Sequence, residues 1–171
     1  GVVIAGTVFA IRRNLPILTL GDIIAFSSPP GLFFGRIANF VNGELWGKQT
    51  SFFLGMVFTK GGGQFCPENK DSVCLRHPSQ LYEAALEGVL LLAIFFLLVY
   101  SFQALKKPGL IFGTFLMGYG LIRFCIEFVR EADKFFVTET NPLGYALQIT
   151  SDFGLTMGQT LCLPMILIGF F

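Results

Sequence analysis

The feature that most limits what this chain can fold into is a succession of long apolar runs, each closed by polar or paired basic residues. Hydrocarbon leaves backbone amides no outside partner, so an apolar run of membrane length must satisfy its amides internally, as helix. A helical crossing takes about 20 residues. The runs at 17–41, 81–103 and 109–128 meet that requirement, and Leu81–Phe102 alone covers about 33 Å at about 1.5 Å per residue. The runs at 1–11 and 156–171 are shorter and read as truncated spans, with Gly1 and Gly6 offering small faces for helix contact. Charged residues make up only 13% of the chain, against about 25% in soluble domains. Its twenty-one phenylalanines suit lipid-facing and interfacial surface. The expected fold is all-α, a polytopic integral membrane helical bundle.

Orientation follows from the basic pairs. Arg12-Arg13 and Lys106-Lys107 are separated by two crossings, so the positive-inside rule places both on the cytoplasmic side. The polar stretch 42–76 then lies outside, as a small irregular extramembrane cap, and the polar stretch 131–151 faces the same way. Within the cap, Phe53–Phe58 alternates in a manner that suits a short strand. Gly61-Gly62-Gly63 reads as a flexible loop, because neither a strand-to-helix context nor a following Lys-Ser/Thr makes it a phosphate loop. Ser27-Ser28-Pro29-Pro30-Gly31 interrupts the 17–41 run, and a proline kink is the expected result. His77-Pro78-Ser79-Gln80 reads as a helix start with Pro78 at the first helical position.

Several function classes are excluded. A net charge of +1 and the lack of a basic stretch interleaved with aromatics argue against nucleic acid. One histidine and four cysteines without a CxxC pair give no zinc pattern, so no metal is expected. Cys66 and Cys74 flank seven residues in a polar loop. In an oxidising compartment they could join as a disulfide, whereas Cys125 and Cys162 read as small apolar packing residues.

Chemistry is concentrated where apolar runs end. Gly35–Gly47 (GRIANFVNGELWG) carries Arg36, Asn39, Asn42 and Glu44, with Arg36 and Asn39 on one helical face. An arginine in a span costs about 2.5–3.5 kcal/mol on insertion scales. Arg36 is therefore either a snorkelling helix-end residue or part of an anion site. In the 109–128 run, Tyr119, Arg123, Glu127 and Arg130 form one stripe. A surface Arg–Glu pair contributes about 0.3–0.5 kcal/mol, too little to offset the insertion of Arg123. An anionic ligand shared by Arg36 and Arg123 explains both residues better. Glu83 and Glu87 lie one turn apart near the outer end of their run, with Gln80 on the same side.

The Gly35–Gly47 segment resembles the signature of the bacterial prolipoprotein diacylglyceryl transferases, Gly-Arg-x-x-Asn-Phe-x-Asn-Gly-Glu-x-x-Gly. His77-Pro78-Ser79-Gln80-Leu81-Tyr82-Glu83, Gly118-Tyr119-Gly120-Leu121-Ile122-Arg123 with Glu127, and Met157-Gly158-Gln159 add to the resemblance in family order. Since the family has further N-terminal spans, the resemblance implies a fragment lacking both ends. It also implies transfer of a diacylglyceryl group from phosphatidylglycerol to the lipobox cysteine of a prolipoprotein signal peptide, at the bacterial inner membrane. No cofactor is required, because the lipid is the donor. Family roles carried onto matching positions give Arg36, Asn39, Glu44, Gly47, Arg123 and Glu127, with Arg36 and Arg123 as the catalytic pair. Asn39 and Tyr119 are expected to donate hydrogen bonds to the lipid, and Glu44 and Glu127 to orient the guanidiniums. A family histidine assigned to catalysis maps just before Gly1. His77 is the one histidine in the chain and reads as a helix-start residue more readily than as a base. The competing reading is a non-catalytic membrane module, a transporter or scaffold part with a lipid-binding arginine site. The clustering of polar groups at one side, without an evident internal repeat, argues against it.

Overall fold

A computed structural model of the protein describes residues 1–60, 63–66, 73–131, 141, 144–148 and 154–170. Apolar sequence becomes helix along most of the chain: α1 (Val2–Arg13), α2 (Ile17–Asn42), α3 (Ser79–Phe102), α4 (Leu110–Ile126) and α5 (Met157–Phe170). Helices α2 and α3, with 26 and 24 residues, are long and apolar enough to cross a bilayer. A short antiparallel pair, β1 (Leu147–Gln148) and β2 (Gly154–Leu155), precedes α5.

The helices pack around a core of Ala25, Leu91, Phe95, Ala104 and Ile111, flanked by Phe26, Phe115 and Tyr119. Helix α4 packs most extensively on α5. There Gly113 and Gly169 meet backbone to backbone: a Cβ on Gly169 would stand 2.6 Å from the Gly113 carbonyl oxygen. Small residues are what permit such approach between apolar helices, where no water is expelled to drive association.

At one end of the bundle α2 and α4 are joined by Asp22. This buried carboxylate, 2% exposed, accepts hydrogen bonds from the backbone N–H of Gly109 (2.7 Å) and Phe112 (2.8 Å). A helix leaves its first amides unpartnered, and here the cap comes from another helix. The basic residues Arg12, Arg13, Lys106 and Lys107 border the turns at this same end.

The proline pair does not break α2. The helix runs through Pro29 and Pro30, and Ser27 Oγ and Ser28 Oγ both bond the Ile24 carbonyl in the preceding turn. Helix α3 begins one residue later than its sequence suggests, with Pro78 as its N-cap. Its segment Ala84–Leu90 is π-helical, a wider turn found often at functional sites. The last helix, Met157–Phe170, likewise continues through Pro164.

The described part of the cap contains isolated bridges rather than the expected strand at Phe53–Phe58: Gln49 and Met56 both pair with Arg76, and Phe65 pairs with Val73. Cys66 and Cys74 form a disulfide. Of the other two cysteines, Cys162 is buried, as expected of a packing residue, while Cys125 is exposed. Arg76, only 5% exposed, organises the cap. It donates to the carbonyls of Gly63 (2.7 Å), Phe65 (3.3 Å) and Gly47 (3.4 Å), pairs with Glu131, and lies over the Trp46 ring. A buried guanidinium needs several acceptors to offset its desolvation, and irregular backbone supplies carbonyls that a strand ladder would consume. Gly61 and Gly62 of the glycine triplet, and residues 132–140, 142–143 and 149–151 of the polar stretch 131–151, lie outside the described residues.

Candidate active site

The site starts from the way α2 ends. Gly43 is left-handed (φ 68°), Glu44 N–H bonds the Asn39 carbonyl at 3.1 Å and Gly43 N–H bonds that of Phe40 at 3.0 Å. These two bonds are the Schellman arrangement, which needs glycine where φ is positive. Asn39-Phe40-Val41-Asn42-Gly43-Glu44 is thus first of all a helix stop, and it turns the chain back across the mouth of the bundle.

The segment beginning at His77 docks on that turn. Ser79 Oγ donates to the Leu45 carbonyl at 3.0 Å and Gln80 Nε2 to that of Glu44 at 2.5 Å. Gly47 N–H bonds the His77 carbonyl at 2.9 Å, and His77 N–H bonds that of Lys48 at 3.0 Å. A Cβ on Gly47 would lie 2.6 Å from the Val129 carbonyl oxygen and 2.7 Å from His77 Cβ. Only glycine lets the chains from α2, α3 and α4 converge there.

This convergence sets the arginines against carboxylates of α3. Arg36 Nε lies 2.7 Å from Glu83 Oε2, and Arg36 Nη2 lies 3.3 Å from Glu87 Oε2. From α4, Arg123 Nη1 is 3.7 Å from Glu83 Oε1, and Arg123 Nη2 is 2.9 Å from Glu127 Oε2. Arg130 Nη1 approaches the same Glu127 oxygen at 3.8 Å. Three guanidiniums therefore face three carboxylates, and formal charge balances inside an apolar bundle. Glu83 and Glu87 are 1% and 0% exposed. Removing one partner from such a buried pair costs about 3–5 kcal/mol, because the other charge is left uncompensated.

The match between charges is not a match of hydrogen bonds. Arg123 Nη1, Glu83 Oε2, Glu87 Oε1, Glu127 Oε2 and Gln80 Oε1 are buried without a hydrogen-bond partner, and 3.7 Å exceeds hydrogen-bond length. Arg36 directs Nε and Nη2 to the glutamates. Its side chain keeps 18% exposure, against 2% for that of Glu83. The cluster is thus most deeply buried on its α3 side and least so at Arg36 and Arg130, whose side chains keep 18% and 15% exposure.

Of the residues expected from sequence, the structure brings Arg36, Arg123 and Glu127 into this one cluster. Tyr119 is half-buried one turn below Arg123 and stacks on Phe115 at 5.6 Å. Asn39 is half-buried on the Arg36 face of α2. Glu44 does not orient a guanidinium: it is exposed and its carboxylate accepts a bond from Asn42 Nδ2 at 3.3 Å. The chain turns at Gly43 before Glu44 can point back along α2, and Glu83 and Glu87 take its place. His77 stands outside the cluster, its ring between Phe52 and Tyr82 and its Nδ1 3.3 Å from the Tyr82 hydroxyl. Glu83 and Glu87 were visible as a one-turn pair in the sequence, but nothing there assigns them to arginines on two other helices.

The last motif, Met157-Gly158-Gln159, also closes on this cluster. A Cβ on Gly158 would lie 2.8 Å from Glu127 Cδ, so the first turn of α5 is cut away to admit the carboxylate. The partial positive charge of a helix N-terminus favours an anion there. Four separate motifs thus meet at one ion cluster, in the order in which a single family carries them. The family described as prolipoprotein diacylglyceryl transferase matches residues 1–171. The chain belongs to the prolipoprotein diacylglyceryl transferase family.

Relatives within this transferase family are about half identical. The phosphatidylglycerol–prolipoprotein diacylglyceryl transferase of Cereibacter sphaeroides (strain ATCC 17025) is 51% identical over 171 residues, covering 100% of this chain and 58% of the relative. The enzyme of that name from Ruegeria pomeroyi is 52% identical over 169 residues, covering 99% and 57% respectively. The one from Rhizobium leguminosarum bv. trifolii is 48% identical over 169 residues, covering 99% and 53%. The chain spans somewhat over half the length of the curated relatives it matches.

Proposed function

We propose that the protein transfers the diacylglyceryl group of phosphatidylglycerol to the lipobox cysteine thiol of a prolipoprotein, at the bacterial inner membrane with the arginine cluster toward the periplasm. The observation that carries this reading is the convergence of Arg36 and Arg123, from different helices, on one carboxylate at the end of two membrane-length helices. With those helices spanning a bilayer, a phospholipid phosphodiester sits at that depth. In the reaction a thiolate sulfur forms a bond to the glyceryl carbon, and the C–O bond to phosphate breaks. The bonding pair stays on the departing oxygen, and glycerol phosphate leaves. Charge therefore grows on the phosphate in the transition state. Guanidinium donors held in a largely water-free site stabilise it there more than they stabilise bound lipid.

Arg36 and Arg123 are the catalytic pair in this scheme. Glu127 orients Arg123 across one helical turn, and Asn39 and Tyr119, on the faces of the two arginines, contact the lipid headgroup. Gly47 acts by allowing the close approach of its neighbours, and Glu44 and His77 border the entrance. The segments 17–41, 81–103 and 109–128 are the complete crossings and 42–76 is the periplasmic cap. Its Cys66–Cys74 disulfide agrees with an oxidising compartment.

The test uses the full-length protein in phosphatidylglycerol vesicles with a lipobox peptide, and mass spectrometry for a diacylglyceryl adduct on cysteine. We expect adduct from the parent and a loss of at least about 100-fold in Arg36→Ala and Arg123→Ala, the scale seen when one transition-state donor is removed. No adduct from a folded parent would return the chain to the class of non-catalytic membrane modules. Activity surviving in either variant would remove that arginine from the chemistry.

A further inference from the structure

We propose that Glu83 is a resident counter-anion of the arginine pair, which holds the two guanidiniums at the spacing of one phosphate and competes with that phosphate for them. The inference rests on the transferase reading above and adds a positioning residue to it. Each oxygen of the Glu83 carboxylate faces a different arginine: Oε2 is 2.7 Å from Arg36 Nε, and Oε1 is 3.7 Å from Arg123 Nη1. Arg36 and Arg123 come from separate helices, 87 positions apart in numbering, and among the described residues Glu83 is the one side chain ion-paired to both.

The carboxylate is placed rigidly. Its residue is 1% exposed, and its helix turn is pinned by Ser79 and Gln80 to the carbonyls of Leu45 and Glu44. It is also coordinated unequally. Oε2 is in close ion-pair contact with Arg36 and Oε1 stands off from Arg123 at 3.7 Å, while Glu83 Oε2 and Arg123 Nη1 are both buried without a hydrogen-bond partner. A carboxylate and a phosphodiester offer guanidinium the same paired acceptor oxygens. An anion entering at the exposed side of Arg36 thus meets two guanidiniums already turned toward a common point. One of them still has an unmade bond to give. The same carboxylate repels that anion, so orientation of the arginines comes with weakened binding of the lipid.

These two effects separate in the kinetics. Replacing Glu83 by glutamine removes the competing charge and loosens the arginines together. Binding of the ground state should tighten while the chemical step slows, a combination that a purely structural residue does not produce. The experiment measures the Kd of dioctanoyl phosphatidylglycerol by calorimetry, and kcat with the lipobox peptide, in the full-length protein and in Glu83→Gln and Glu83→Asp. For Glu83→Gln we expect Kd to fall about 3- to 10-fold and kcat to fall at least about 30-fold. Glu83→Asp, which keeps the charge on a shorter arm, should bind like the parent and recover part of kcat. Unchanged kcat, or unchanged or weaker binding, in a folded Glu83→Gln would overturn the proposal. Should Glu83→Gln not fold, Glu83→Asp decides: tighter or weaker binding than the parent, or kcat as low as in an Arg36→Ala variant, overturns it. If the parent forms no adduct, the transferase reading fails by itself, and the Kd comparison still decides whether Glu83 competes with a lipid phosphate.

Discussion

Glycine 158 shows how a residue without a side chain acts on the ion cluster. Its missing Cβ is occupied by Glu127, whose carboxylate carbon would lie 2.8 Å from the added atom. Glu127 in turn holds Arg123 Nη2 at 2.9 Å. Alanine at 158 must therefore displace a carboxylate rather than backbone, and the displacement reaches an arginine one contact away. Helix propensity works in the opposite direction, since alanine is about 1 kcal/mol better than glycine within a helix. Gly158→Ala should leave the thermal midpoint in detergent unchanged or slightly raised while adduct formation falls about tenfold. Adding Glu127→Asp, which shortens the acid by one methylene, should restore part of the activity, a non-additivity expected of residues in contact. Additive losses in the double variant would show that the Gly158→Ala loss does not act through Glu127, and full activity in Gly158→Ala would show that Glu127 tolerates the shift.

At the scale of helices, the decisive contacts cross between elements, and this explains what the sequence could and could not tell. The apolar runs revealed α2, α3 and α4 because burial in hydrocarbon demands continuous apolarity, which is a local property. The arginines stood out for the same reason, as charges where charge is costly. Of their carboxylate partners, Glu127 stood out because it lies one turn from Arg123 on the same helix, whereas the pairing of Glu83 and Glu87 did not. Glu83 pairs with Arg36 and Arg123, and the assignment depends on how α2, α3 and α4 pack. Arg76, at the end of the polar stretch, was given no role from sequence, yet it binds carbonyls 11 to 29 positions away. Asp22 is a third case, a cap for α4 that sits near the start of α2. Charge-assisted bonds of this kind contribute about 1.5–3 kcal/mol, and leaving buried donors unmade costs a similar amount. Asp22→Ala should therefore destabilise the bundle by about 2–4 kcal/mol. Asp22→Asn keeps an acceptor and loses only the charge, and should cost about 1 kcal/mol. Thermal unfolding of the detergent-solubilised protein ranks the two. Equal midpoints for Asp22→Ala and the parent would show that α4 finds other partners for its first amides.

Across the whole molecule, the two ends of the bundle differ in chemistry, and the difference bears on orientation. One end carries Arg12, Arg13, Lys106 and Lys107, all exposed. The other carries the ion cluster and the cap with its disulfide. Excess Lys and Arg mark cytoplasmic turns, and a disulfide persists in an oxidising compartment. These are independent physical effects, translocation cost for one and redox potential for the other, and both support the orientation proposed above. The closed loop of the disulfide is short, eight residues in separation, so the bond contributes roughly 2–3 kcal/mol by the chain-entropy argument. That is enough to order a cap built from isolated bridges. Arg76 and the Gly47–His77 pairing tie the cap to the bundle independently. Reduction should accordingly loosen the cap without releasing the arginine cluster. In spheroplasts, a membrane-impermeant maleimide should label Cys66 and Cys74 after mild reduction and without permeabilisation. A cysteine introduced by Lys106→Cys, in a Cys66→Ser/Cys74→Ser/Cys125→Ser background, should react only once the membrane is opened. The reverse pattern would put the arginine cluster at the cytoplasmic face, away from a substrate thiol presented on the outer side, and the transferase mechanism would have to be redrawn from that face.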